Sequence, residues 1–171
     1  YNNLWEMFSP DDKASALKKA HACLALASAV EGLSGFEAAM IEALATRYPT
    51  DPEIEDFSPW HDSFADAMRQ VCRQFPDQLD VVSVFAESLM NRTPWSLWDI
   101  KTGEPNEGAS TIEAREVLER AFKNDINAWN HPGLLHMYIH LMEMSPSPEL
   151  ALRHGDRLVD LVPESGHLVH M

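Results

Sequence analysis

Apolar residues recur along this chain at the spacing of an α-helix. Phe64, Ala67, Met68, Val71, Cys72 and Phe75 fall at i, i+3, i+4, i+7, i+8 and i+11, one continuous stripe. Ala114, Val117, Leu118, Ala121 and Phe122 repeat the pattern, and no stretch alternates for long enough to make a strand. Start signals agree with the stripes. Ser9-Pro10-Asp11-Asp12 and Ser147-Pro148-Glu149 each place serine at an N-cap and proline at the first helical position, and Ser110-Thr111-Ile112-Glu113 has the form of a capping box. Pro49, Pro76 and Pro163 mark stops, because proline cannot continue a helix. The pattern predicts an all-α chain of about seven antiparallel helices, at roughly 10–30, 35–48, 60–75, 78–92, 110–124, 132–144 and 148–162, with an eighth beginning near Gly166. Two connections are long: 49–59, rich in proline and acid, and 93–109, whose Trp95 and Trp98 are expected to pin it to the helices while its tip stays in solvent.

The helices also repeat. Ala151, Gly155, Leu158 and Pro163 are spaced by 4, 3 and 5 residues, and so are Ala114, Leu118, Ala121 and Ile126. Ala65, Arg69 and Cys72 keep the first two spacings, with Pro76 one residue early. Small residues at these places let paired helices approach closely, as in the second helix of a tetratricopeptide repeat. Repeats then read as 35–76, 77–126 and 130–163, with helix 10–30 as the second half of a further repeat. The fold expected is a tetratricopeptide-like, right-handed helical-repeat solenoid forming one domain over 1–171. The Trp–Leu–Gly–Tyr signature of the first helix is absent, so the assignment rests on the second helices. The chain starts without Met and ends within a helix-like segment, which reads as a piece of a longer protein.

Several segments resemble a group of large bacterial and fungal tetratricopeptide-repeat proteins. They are the run from Phe36 to Tyr48, Phe75-Pro76-Asp77 with Phe85-Ala86-Glu87-Ser88-Leu89-Met90-Asn91, and Pro94-Trp95-Ser96-Leu97-Trp98. The most specific are His131-Pro132-Gly133, Tyr138-Ile139-His140 and Gly166-His167-Leu168-Val169-His170-Met171. The resemblance covers nearly the whole chain and implies the repeat fold and further repeats beyond residue 171. It implies no particular activity.

Charge narrows the partners. A net charge of -14 opposes binding to a phosphate backbone, so nucleic acid is not expected, and an acidic surface does not favour anionic membranes. No run of about 18 apolar residues suggests a membrane span, and residues 1–6 carry no signal-peptide pattern. Cys23 and Cys72 sit among apolar residues at helical spacing and read as reduced core residues, compatible with a cytoplasmic location.

Candidate chemistry concentrates near the C-terminal end. Six of the eight histidines lie between 131 and 170. His136, His140 and Glu143 share one narrow helical face, and His167 and His170 lie one turn apart at the start of the next helix. In a tetratricopeptide solenoid the first helices line a concave surface side by side, about 8–10 Å apart. Aligning helix 78–92 with helix 132–144 places Glu87 opposite His140. The expected cluster is therefore Glu87, His136, His140, Glu143, His167 and His170, a donor set suited to zinc, iron or copper. Position 137 is Met rather than Glu, so this is not the zinc-protease motif. The alternative for the same residues is a solvated face with a His140–Glu143 ion pair and a capping role for His131. His21, His61 and His154 are read as structural. Two functions stay open: a groove that takes a protein or peptide partner, basic or apolar in character, and a metal-binding protein or metal-dependent hydrolase or oxidase.

Overall fold

The computed structural model describes residues 7–170, so residues 1–6 and Met171, read above from sequence alone, lie outside the described residues. Among the described residues eight α-helices follow one another: α1 (Pro10–Ser28), α2 (Gly35–Ala45), α3 (Ser58–Gln74), α4 (Leu79–Met90), α5 (Thr111–Asn124), α6 (Pro132–Met142), α7 (Leu152–Leu161) and α8 (Gly166–His170). Short 3-10 turns at Ile126–Asn130 and Pro148–Ala151 flank α6 and precede α7. Extended pairing among the described residues is limited to one isolated bridge between Trp98 and Pro105. No helix of the described residues is long and apolar enough to cross a membrane.

Each helix packs on its neighbours in the chain, and α4 also packs on α6. Three of the small residues identified from spacing are buried, Ala65, Ala114 and Ala151 at 1%, 0% and 6% exposed, whereas Gly155 faces open space and no close approach requires it. A larger side chain at the alanines has nowhere to go without moving a helix. Ala114→Leu is expected to destabilise the protein by about 1–3 kcal/mol, read from urea unfolding. An unchanged midpoint would show that α4 and α5 do not meet at this residue.

Helix starts divide into those that use the expected side chain and those that do not. Ser9 Oγ accepts from Asp12 N at 3.2 Å, as the sequence implies. Ser34 and Glu37 form a full capping box at the start of α2. Ser110 does not cap α5: its Oγ accepts from Arg92 Nη1 at 2.5 Å, which ties the end of α4 to the start of α5. Ser147 caps nothing either, because the 3-10 turn intervenes before α7. Cys23 is another correction. α1 buries only Leu17 and Leu24 of its length, leaving Cys23 exposed, whereas Cys72 is half-buried and burial pushes its thiol up.

The two tryptophans of the 93–109 connection differ in burial. Trp98 is 6% exposed and its Nε1 donates to the Leu141 carbonyl at 2.6 Å. Trp95 is 49% exposed, on a backbone with φ of 62°. Thr111 Oγ1 donates to Leu97 O at 2.6 Å and closes the segment onto α5.

His154 is structural, as expected, and builds an aromatic joint between α5, α6 and α7. Its ring stacks on Trp129 with centroids 4.7 Å apart and lies 4.1 Å from Tyr138. Burial pushes its imidazole down to about 4. A free imidazole titrates near 6.5. Between those values the unfolded chain takes up a proton that the folded chain does not, so stability rises with pH across this window and is lost on acidification. The melting temperature of metal-free protein is expected to fall between pH 7 and pH 5, with on the order of 5 °C of that fall due to His154. His154→Phe, which keeps the ring and removes the titration, should show a correspondingly smaller fall.

Candidate metal centre

α6 carries the site and is the most enclosed helix of the fold. Pro132 at its first turn presets the backbone, and His131 caps it by accepting from Leu134 N through Nδ1 at 3.2 Å. The other nitrogen of His131 lies 3.0 Å from Asp80 Oδ1, joining α6 to α4. His131 is thus a cap and a tie, in line with the capping role weighed from sequence. Leu134, Leu135, Leu141 and Met142 are fully buried. The expectation of a solvated polar face fails at His140, which is 7% exposed. α4, α5 and α7 enclose α6, and His167 of α8 stands over the remaining side.

Three imidazoles converge there. His136 and His140, one turn apart, have ring centroids 4.6 Å apart, and His167 comes to 5.1 Å from His136 and 6.1 Å from His140. The Nε2 atoms of His136 and His167 are 3.2 Å apart, and the ligand atoms of all three residues lie within 4.8 Å of one another. Nitrogens bound tetrahedrally to one zinc at 2.0–2.1 Å are about 3.3 Å apart. One pair already has this spacing, and exposed His167 has room to bring the rest together.

Two of the three are prepared as ligands, His140 by a hydrogen bond and His136 by burial. Glu143 Oε1 is 3.0 Å from His140 Nδ1. A carboxylate can only accept here, so Nδ1 carries the hydrogen, and in the neutral ring Nε2 keeps its lone pair for a metal. His136 is half-buried, and its imidazole is pushed down to about 4, chiefly by burial and then by His140 and His167. At neutral pH it competes for a metal without first losing a proton.

Of the six residues expected from sequence, His136, His140 and His167 form the described cluster. Glu143 joins it in a different role, on the far nitrogen of His140. His170 is exposed and outside the cluster. Glu87 is also outside it, with its carboxylate 4.0 Å from Arg47 Nη1 and accepting from Asn91 Nδ2 at 3.4 Å. The reason is register. A Cβ at Gly133 would lie 2.5 Å from Ser83 Oγ, and His131 meets Asp80. Counting one turn on from the Ser83–Gly133 contact puts Glu87 level with Met137 rather than His140, about 4.5 Å along the helix axis from the expected partner. Among the described residues, none outside the expected six enters the cluster.

Three imidazole nitrogen donors suit zinc, copper or iron(II), and three protein ligands leave a coordination position for an exchangeable group. No known protein-family model, curated protein or solved structure matches this chain.

Proposed function

We propose that this chain is a metal-binding protein that holds a divalent transition-metal ion through His136, His140 and His167, with Glu143 orienting His140. The observation that carries the reading is the convergence of three imidazole nitrogens within 4.8 Å, one of them held in its metal-ready tautomer by a carboxylate. Zinc is the first candidate, because three histidines with an open fourth position are a ligand set of catalytic zinc. An exchangeable fourth position is the form used by metal-dependent hydrolases and oxidases, so a substrate that binds through oxygen or nitrogen is the class to screen.

We also infer a tetratricopeptide-type stack. The buried Ala65, Ala114 and Ala151 and the packing of helices on chain neighbours support it. A protein or peptide partner is the second reading. Its support is a cleft of about 680 Å³ with Val82, Phe85 and Val117 among its lining and the Arg69–Glu113 pair beside them.

The test is metal titration of the full chain, prepared without a histidine tag, against zinc, cobalt, copper and iron(II). One equivalent is expected in the parent, with a tetrahedral-type cobalt spectrum, and none in His136→Ala/His140→Ala. A parent that takes up none of the four ions overturns the metal reading.

A further inference from the structure

Resting on the metal reading above, we propose that the ion docks α8: it ties this short helix to the body of the helices before it. The three ligands are unequal in their support. His136 and His140 stand on α6, which is buried on most sides and stays in place without help. His167 stands on α8, which has five residues and buries none of them.

Little else holds α8. Its main packing among the described residues is against α7, and Leu168 is its one side chain that reaches the hydrophobic core, while partly buried itself. The amide of Val169 donates to Ser165 O at 2.9 Å, a single turn of helix. A helix this short is far below the roughly 12–15 residues at which an isolated helix becomes marginally stable in water. α8 therefore depends on tertiary contact, and the contact with the most directional content is the meeting of His167 with His136 across 3.2 Å. In the metal-free protein that is one hydrogen bond between two imidazole rings. With an ion present it becomes two coordinate bonds through a common centre.

The linkage follows directly. Docked α8 offers three ligands, and undocked α8 leaves the two of α6. An ion present at 100 times its dissociation constant from the docked form shifts the docked-to-undocked ratio by up to about 100-fold, less whatever affinity the α6 pair keeps alone.

Hydrogen exchange read by mass spectrometry on the full chain tests this. Zinc at saturating concentration is expected to slow exchange in peptides covering α8 at least tenfold, while peptides covering α2 do not change. The response should vanish in His136→Ala/His140→Ala. His167→Ala should still bind zinc weakly through α6, with α8 no longer responding. Stoichiometric zinc binding with unchanged exchange at α8 overturns the tie and leaves the metal site standing. No zinc binding in the parent overturns both.

Discussion

Trp98→Ala is expected to lower the free energy of unfolding by about 3–5 kcal/mol, the cost of emptying a large buried aromatic site. Trp98 is 6% exposed, the largest side chain that the 93–109 connection sends into the core. Its indole also supplies the donor for Leu141 O, a carbonyl of the last turn of α6 that has no later helical amide to accept from. The substitution removes both the apolar surface and the donor. Trp98→Phe should recover most of the packing and leave the carbonyl unsatisfied, a loss of about 1–3 kcal/mol. Denaturant unfolding followed by circular dichroism orders the three proteins. A loss below about 1 kcal/mol for the alanine variant would mean that the connection does not contribute a packed residue. Because Leu141 follows His140 directly, the alanine variant should also bind metal less tightly than its stability alone explains.

Glu143→Ala is expected to weaken metal binding by about 10–100-fold, the usual effect of removing the carboxylate behind a ligating histidine. Glu143 is 38% exposed in its side chain, so the fold should be unaffected. Glu143→Gln offers a carbonyl oxygen to the same Nδ1 hydrogen and should restore much of the affinity, which separates orientation of the ring from net charge. Isothermal titration with zinc decides between them. Equal affinities in parent and alanine variant would show that packing alone orients His140. A complete loss in the alanine variant, without rescue by glutamine, would instead make Glu143 a ligand.

Helix existence was legible from periodicity because most helices bury one stripe. α3 and α5 present theirs as the stripes through Phe64 and Val117 imply. α6 was harder. It is enclosed on nearly all sides, so its histidine face looks polar in sequence while His140 is buried and His136 half-buried in space. The His136–His140 pair could be read from spacing, since four residues along a helix fix relative position. Its pairing with His167 could be read as far as the order of the helices suggested. Glu87 could not be placed, because interhelix register is set by contacts such as Gly133 against Ser83 that no local pattern encodes. Ser110 misled for a related reason: its hydroxyl had a stronger claimant in Arg92, distant in sequence. The capping box at Ser34 and Glu37 was present as S-x-x-E and carried the same signal that failed at Ser110.

The packing of helices on their chain neighbours has a consequence for how the molecule comes apart. Few of its substantial helix contacts join residues far apart in sequence, the α4–α6 pairing being the longest reach. Low contact order of this kind goes with fast folding and with weak coupling between the two ends of the chain. Fraying should start at α1 and α8, where burial is sparse, while α4, α5 and α6 hold to the last. A protein built this way can lose an end and regain it without passing through its unfolded state.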